Sequence, residues 1–489
     1  MWLSAEIKSI LIVAMHIPLP KIIQGGMGVG VSNWRLAQSV SKLGQLGVVS
    51  GTGLDQTLAR RLQDGDPGGH IRRALQHFPF PEVAKRIQDA LFVPGGKKPE
   101  SSYKLSGQHT VKGRNWMDEL CMVANYVEVF LAREGHANPV GINYMEKLQL
   151  PHLPSIYGAM LAGVAVVIVG AGIPLEMPRV LDSLSSHRPA SYPIRVAGAL
   201  PDTDSRKVFD PAVFAESNAS LPPLLRPDFL PIISADSLAT MMLRRASGSI
   251  EGFVIEGPLA GGHNAPPRGQ QQLTPDGQPI YGPRDTVDLA VMRKLGLPFW
   301  LGGAYATPER LQAALAEGAA GVQVGTAFAL CAESGLMPEL RHELIRKALA
   351  GKAFVFTDPL ASPAGFPFKV ARLAGSASEP DVYRQRTRVC DLGYLREVYR
   401  KEDGSFGYRC AAEPEASFLA KGGKPAELVG RKCVCNGLFA NIGMGQVLPD
   451  GSREPCLVTL GDDFLDVGRF CTVEKPDYTA ADVIRHLLG

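Results

Sequence analysis

Residues 298–327 read PFWLGGAYATPERLQAALAEGAAGVQVGTA, and this stretch indicates the fold. Two short apolar segments, residues 298–304 and 321–327, contain glycines at their ends and flank residues 308–317, which have the apolar spacing of a helix. Thr307-Pro308-Glu309 has the composition of a helix start, with an N-cap, a proline at the first position and an acid in the first turn. The stretch therefore predicts a strand, a helix and a second, parallel strand.

Six further apolar segments predict strands of the same kind, at residues 21–25, 47–51, 140–144, 165–171, 231–235 and 252–257. Strands that are apolar throughout and rich in Val and Ile are typical of a parallel sheet covered on both faces. Helical patterns follow at residues 32–43, 237–245 and 338–350. Eight βα units predict an α/β fold of the (β/α)₈ TIM-barrel type, which requires about 250 residues.

The chain has 489 residues, so much of its length lies outside a minimal barrel. We expect an N-terminal leader at residues 1–18 and a barrel at residues 19–350. Insertions at residues 55–135 and 185–229 are too long for simple connections and predict lids or subdomains. Residues 351–489 follow the eighth unit and form a C-terminal extension.

The composition excludes several classes of protein. Apolar residues make up 45% of the chain and the net charge is +3, without a basic block, which disfavours disorder and nucleic-acid binding. The apolar run at residues 10–15 is too short to span a membrane. Eight cysteines are too sparse for a disulfide scaffold. We therefore expect a cytoplasmic protein without membrane or nucleic-acid partners; a homodimer is an open alternative to a monomer.

Active sites of TIM barrels lie at the carboxyl ends of the strands, where three clusters occur in this sequence. They are residues 24–28 (QGGMG), residues 301–305 with 321–326 (LGGAY and GVQVGT), and residues 256–263 (EGPLAGGH). Glycines at the ends of strands seven and eight suit a phosphate site built from backbone amides. The alternative to a ligand site is that these clusters are ordinary βα turns and that His263 is a structural histidine.

Six motifs occur in order between residues 19 and 350: PKIIQGGM, LAQSVSKLGQLGVVSG, VGINYM, VGAGIP, VIEGPLAGGH and GVQVGTAF. Together they resemble the nitronate monooxygenase family, and they are similar to its sister family, enoyl-acyl-carrier-protein reductase II. The resemblance implies a TIM barrel that binds FMN non-covalently. It implies His263 as the catalytic residue and assigns cofactor contacts to Gly25, Gly26, Met27, Asn143, Glu256, Gly261, Gly302, Gly303, Gln323, Val324, Gly325 and Thr326, the last six of them at the phosphate.

The resemblance implies two reactions. A nitronate monooxygenase oxidises an alkyl nitronate with O₂ to a carbonyl compound and nitrite, whereas an enoyl reductase uses NAD(P)H to reduce an enoyl thioester. The sequence departs from both family patterns after His263, where it continues NAPPRG. At position 256 it has a glutamate, which is typical of the reductases, whereas the monooxygenases usually have a glutamine. We expect a nitronate monooxygenase, with the reductase as the alternative. A flavin-binding subunit of a larger synthase is the lesser alternative.

The C-terminal extension contains two further candidates. Cys390, Cys410, Cys433 and Cys435 could bind zinc, the simpler choice, or an iron–sulfur cluster, or they could be isolated buried thiols. Residues 358–369, DPLASPAGFPFK, are either a proline-rich linker, which we slightly favour, or a segment that folds over the barrel mouth. The second interpretation would bring Ser362 or Lys369 near the substrate.

Overall fold

A computed structural model of the chain describes residues 15–113, 115–198, 205–214, 221 and 223–489. Most of the predicted leader, residues 1–14, lies outside the described residues. Residues 15–20 lie at the closed end of the barrel, where the backbone N–H of His16 donates to a carboxylate oxygen of Asp228 at 3.0 Å. Within the described residues, each helix is too short or too polar to cross a membrane.

The elements of the first part of the chain are β1 (Ile22–Gln24), α1 (Trp34–Lys42), β2 (Gly47–Ser50), α2 (Leu54–Gln63), α3 (His70–Leu75), α4 (Pro81–Leu91), α5 (Asn115–Arg133), β3 (Val140–Met145), α6 (His152–Leu161) and β4 (Val166–Gly170). The middle part contains α7 (Met177–Ser185), β5 (Ala190–Pro193), β6 (Val196–Ala197), β7 (Arg206–Phe209), β8 (Asp228–Ile233), α8 (Asp236–Arg245), β9 (Phe253–Glu256), α9 (Leu289–Leu295), β10 (Phe299–Gly302), α10 (Pro308–Ala316), β11 (Gly321–Val324), α11 (Thr326–Ala329) and α12 (Pro338–Leu349).

The C-terminal part contains β12 (Val355–Asp358), β13 (Phe368–Ala371), α13 (Pro380–Gln385), β14 (Glu397–Arg400), β15 (Phe406–Arg409), α14 (Glu415–Ala420), α15 (Val434–Ala440) and α16 (Ala480–Leu488). Short 3₁₀ helices cover Pro211–Val213, Pro283–Asp285, Pro425–Leu428 and Asp462–Arg469.

Eight parallel strands form one sheet in the order β1-β11-β10-β9-β8-β4-β3-β2. A parallel bridge between Ile23 and Leu46 joins its two edges, and the backbone N–H of Gln24 donates to the carbonyl of Leu46 at 2.9 Å. The sheet is therefore closed, and the predicted TIM barrel is confirmed. Thr307 is also the N-cap of α10, and its hydroxyl accepts from the backbone N–H of Arg310 at 3.3 Å.

Two predicted strands have wrong boundaries. The strand predicted at residues 231–235 is β8, which begins at Asp228, where the buried carboxylate binds the backbone of His16. The strand predicted at residues 321–327 ends at Val324, because Thr326 begins α11, all of which is buried. A short apolar run does not distinguish a buried strand from a buried helix, so the pattern could not separate them.

Both insertions and the C-terminal extension pack on the barrel. Helices α2–α5 belong to the same apolar core as the barrel helices, and so does α16. Strand β5 pairs with β7 in the second insertion. Strand β6 pairs with β14, which joins the second insertion to the C-terminal extension in a three-stranded sheet. The domain boundaries given above stay predictions.

Trp300 fills the interior of the barrel, and its loss should strongly destabilise the fold. Its side chain is completely buried, and its indole N–H donates to the carbonyl of Pro20 at 2.8 Å. We expect Trp300→Ala to lower the free energy of unfolding by about 3–5 kcal/mol. Val473→Ala, at a largely exposed site, should change it by less than about 0.5 kcal/mol. Denaturant unfolding measures both; equal values would contradict this account of the core.

Candidate functional site

The carboxyl ends of the barrel strands open into a cavity of about 1250 Å³ that is partly open to solvent. We call it the mouth cavity. All the site residues predicted from the sequence line this one cavity: Gly25, Gly26, Met27, Asn143, Glu256, Gly261, His263, Gly302, Gly303, Gln323, Val324, Gly325 and Thr326.

His263 is held at the cavity wall by the segment between β12 and β13. Its Nε2 lies 2.6 Å from the hydroxyl of Ser362, and its ring lies against the ring of Phe368, with centroids 4.7 Å apart. Burial lowers the pKa of His263 to about 4. The imidazole is therefore neutral at physiological pH, which suits a proton acceptor.

The interpretation of residues 358–369 as a linker is wrong, because this segment covers the loop that carries His263. The backbone N–H of Asn264 donates to Pro367, and that of Lys369 donates to Gly262, both at 2.9 Å. Ser362 thereby reaches His263. The side chain of Lys369 instead forms an ion pair with Asp462 at 2.6 Å and is not part of the mouth-cavity wall.

The two glycines before His263 have different functions. A Cβ atom at Gly261 would lie 2.8 Å from backbone atoms of Leu460 and Gly461, so the close approach of the C-terminal segment requires this glycine. Gly262 has φ +81°, a left-handed conformation that favours glycine, and its N–H donates to the hydroxyl of Thr459 at 2.8 Å. Protein backbone thus occupies the space beside Gly261, which still lines the mouth cavity, and its contact with a cofactor stays a prediction.

A buried hydrogen-bond network fixes the backbone of the glycine loop at residues 25–28. The hydroxyl of Ser32 donates to the carbonyl of Gly25 and accepts from the backbone N–H of Met27, both at 2.9 Å. The side chain of Gln24 donates to the same hydroxyl at 2.8 Å. No motif indicated Ser32, which lies outside the glycine motif, just before α1, and binds the loop through its hydroxyl.

Three half-buried polar side chains line the mouth cavity and make no hydrogen bond to other described residues: Asn143, Glu256 and Gln323. Two of them are amides, which can both donate and accept. Burial raises the pKa of Glu256 to about 8, so its carboxyl group is mostly protonated near neutral pH and can also donate. The cavity thus offers donors and acceptors that a polar, planar ligand would satisfy.

The phosphate site predicted from the sequence lies in the corner of the mouth cavity at the ends of β10 and β11. Gly303 has φ +105°, and a Cβ there would lie 3.3 Å from the backbone N of Ala260. The hydroxyl of Thr326 accepts from the backbone N–H of Gly461 at 2.9 Å. Asp463 also lines this corner, and burial raises its pKa. A raised pKa reduces the negative charge that Asp463 would present to an anion.

The C-terminal extension contributes a part of the cavity wall that, apart from Phe368 in the segment 358–369, no sequence motif indicated. These residues are Phe368, Leu438, Thr459, Leu460, Gly461 and Asp463. They follow the barrel by up to about a hundred residues and belong to none of the motifs that carry the resemblance. Their chain position contained no signal for the site, because only folding brings them to the barrel mouth.

Residues 216–359 match the family model described as nitronate monooxygenase. No curated protein matches the chain. Solved structures that are similar to the chain include the following three. FabK from Thermotoga maritima is 16% identical, with a TM-score of 0.46 and coverage of 96% of this chain and 91% of that one. A nitroalkane oxidase from Streptomyces ansochromogenes is 14% identical, with a TM-score of 0.44 and coverage of 98% and 96%.

The third structure is the enoyl reductase domain of MlnA from the macrolactin biosynthesis cluster of Bacillus amyloliquefaciens. It is 10% identical, with a TM-score of 0.43 and coverage of 97% of this chain and 94% of that one. The matched residues 216–359 contain His263, Glu256 and the last four barrel strands. The family resemblance found in the sequence is thus confirmed at residues 216–359, which match the nitronate monooxygenase model, and the protein is an oxidoreductase.

Proposed function

We propose that the protein is an FMN-dependent nitronate monooxygenase that oxidises alkyl nitronates with O₂ to a carbonyl compound and nitrite. The observation that carries this proposal is a neutral histidine, His263, fixed by Ser362 at the wall of a large cavity at the barrel mouth. A neutral imidazole can accept the proton of a neutral nitroalkane and so generate the nitronate inside the site.

The wall of the mouth cavity fits FMN in two respects. Glycine at position 26 lets Asn143 approach, because a Cβ there would lie 2.4 Å from that of Asn143, and the amide of Asn143 lines the cavity. The unpaired amides of Asn143 and Gln323 can hydrogen-bond the polar edge of the ring, and the glycines at 302 and 303 can admit the phosphate. When bound, FMN supplies the redox chemistry, and the protein orients it.

The substrate specificity can be tested with the yellow, FMN-loaded protein. In air, propyl-2-nitronate should cause oxygen uptake and release nitrite. Under anaerobic conditions, NADH and NADPH should leave the flavin absorbance unchanged. Fast bleaching by NAD(P)H without a response to nitronate would contradict the monooxygenase proposal, and a chain that takes up no FMN would contradict the cofactor proposal.

Glu256 favours a second candidate, an NAD(P)H-dependent reductase of enoyl thioesters. This reaction adds a hydride to one carbon of the double bond and a proton to the other. A carboxyl group with a pKa of about 8 is still protonated at neutral pH and can act as a general acid. In the monooxygenase reaction we find no comparable need for an acid at this position.

Glu256→Gln separates the two candidates. Gln replaces the carboxyl group with an amide of similar shape that can still hydrogen-bond but cannot act as an acid. If Glu256 is the acid of a reductase, we expect kcat with a crotonyl thioester to fall about 10²–10⁴-fold, with FMN retained. If the protein is a monooxygenase, oxygen uptake with nitronate should change less than about threefold. Steady-state kinetics with both substrates measure the difference.

Ser362 is a positioning residue for His263. We expect Ser362→Ala to lower kcat/KM with a neutral nitroalkane about tenfold, because one buried hydrogen bond of about 0.5–1.5 kcal/mol no longer orients the ring. Ser362→Thr, which keeps the hydroxyl, should restore part of this loss. Equal activity of Ser362→Ala and wild type across the pH range would contradict the positioning role.

We propose that the protein acts in the cytoplasm. None of the eight cysteines forms a disulfide, which is typical of a reducing compartment.

A further inference from the structure

Four cysteines converge on one small cavity in the C-terminal extension, away from the mouth cavity. Cys390, Cys410, Cys433 and Cys435 all line this one space, whose other walls are mainly apolar. We call it the cysteine cavity and these residues the cavity cysteines. They come from three separate segments: the residues before β14, the end of the β14–β15 hairpin, and the start of α15. Isolated buried thiols would have no reason to meet around one space.

The backbone around the cavity cysteines is fixed by the rest of the fold. The side chain of Gln108, from the first insertion, donates to the carbonyl of Cys390 at 2.8 Å. The hydroxyl of Tyr383 accepts from the backbone N–H of Cys433 at 2.8 Å. The amide of Asn436 donates to the sulfur of Cys433 at 3.6 Å. The site is thus preorganised, which lowers the cost of binding a ligand.

Buried positive charge adjoins the cavity cysteines. The guanidinium groups of Arg386 and Arg396 interact electrostatically with Cys433 and Cys390, respectively. The Arg386 side chain is almost fully buried, and its Nη1 has no hydrogen-bond partner among the described residues. Its ion pair with Glu454 therefore leaves one donor unused.

The spacing of the sulfurs distinguishes between metals. Zinc–sulfur bonds of about 2.3 Å in a tetrahedron put the sulfurs about 3.8 Å apart. Among the described residues, the one set of three or more potential ligands with ligand atoms within 4.8 Å of one another is Asp55, His109 and Cys121. No three cavity cysteines come that close together. A cluster of several irons and sulfides is wider than one ion and holds its thiolates further apart.

We infer that the four cavity cysteines bind a [4Fe–4S] cluster. Four thiolates are the ordinary ligand set of such a cluster, and the surrounding arginines offset the negative charge of the ligated site. Helix α15 connects the two cavities, since Cys435 lines one and Leu438 lines the other. Three residues along a helix span about 4.5 Å, so the cluster would lie close to the mouth cavity. This inference does not depend on the proposed substrate.

Metal analysis of the full chain tests the inference without any variant. Protein isolated under anaerobic conditions should contain about four irons and four acid-labile sulfides per chain. Reduction with dithionite should produce an electron paramagnetic resonance signal at low temperature that free flavin does not give. One zinc per chain without sulfide, a metal-free chain even after reconstitution with iron and sulfide, or a Cys390–Cys410 disulfide would each overturn the cluster.

Variants assign the ligands. Cys410→Ser and Cys433→Ser should each reduce iron and sulfide to less than half of the wild-type content. Cys456→Ser removes a thiol outside the cavity and should leave both unchanged. Flavin content is measured in the same samples, so a loss of the cluster is distinguished from a failure of the FMN site. Full iron content in both ligand variants would overturn the assignment even if the protein binds iron.

Discussion

Replacement of His263 by alanine is expected to lower kcat/KM with a neutral nitroalkane about 10²–10⁴-fold, the usual contribution of a positioned proton acceptor. The same variant should oxidise a preformed nitronate with a much smaller loss, because that substrate has already lost its proton. FMN content should remain unchanged, since His263 is expected to face the substrate. Oxygen uptake with the paired substrates, nitroethane and ethyl nitronate, measures the contrast.

The pH dependence of the wild-type protein provides an independent check. Burial lowers the pKa of His263 to about 4, so the proton-accepting form is present at higher pH and is lost as the pH falls through about 4. The rate with the neutral nitroalkane should therefore remain high at pH 6, where a solvent-exposed histidine with a pKa near 6.5 would already be mostly protonated.

His77→Ala is the matched control for His263→Ala, because His77 is exposed and does not line the mouth cavity. It should leave both activities within about a factor of two. Equal losses with nitroalkane and nitronate in the His263 variant would contradict proton removal by this residue. They would indicate instead that the imidazole contributes to binding or to a step shared by both substrates.

A methyl group at position 26 is expected to weaken FMN binding about 5- to 150-fold, which corresponds to the 1–3 kcal/mol of an overpacked site. The Cβ of Gly26→Ala would lie 2.4 Å from the Cβ of Asn143. A change of rotamer cannot relieve this contact, because the position of a Cβ is fixed by the backbone. Either the loop or β3 must shift, and the shift moves the Asn143 amide away from its place in the cavity wall.

Gly282→Ala provides the comparison, because a Cβ there has no atom within 4 Å and the residue has φ −133°, which any amino acid adopts. Its FMN affinity should equal that of the wild type. Fluorescence titration of the apoproteins with FMN gives the dissociation constants. Unchanged affinity in Gly26→Ala would mean that the flavin does not lie against this part of the wall.

The barrel and most of its strand ends could be predicted from local patterns in the chain. Val- and Ile-rich strands that end in glycines, with helices between them, bury both faces of a parallel sheet, and closure of eight such units is the established way to do so. The three clusters at the strand ends follow from this, because strand ends must meet at the barrel mouth, whereas the individual cofactor contacts came from the family resemblance. Thr307 could be read as an N-cap because capping is a local interaction.

Tertiary packing alone brings parts of the C-terminal extension to these strand ends. Ser362 contacts His263 across 99 residues of sequence, and Gly461 binds Thr326 across 135. It also decided that Gly261 accommodates protein backbone and that four cysteines from three segments surround one space. Such contacts depend on how loops without periodicity pack against a finished barrel. Local patterns encode the hydrogen bonds and burial within one element, and they contain no information on which distant segment will cover it.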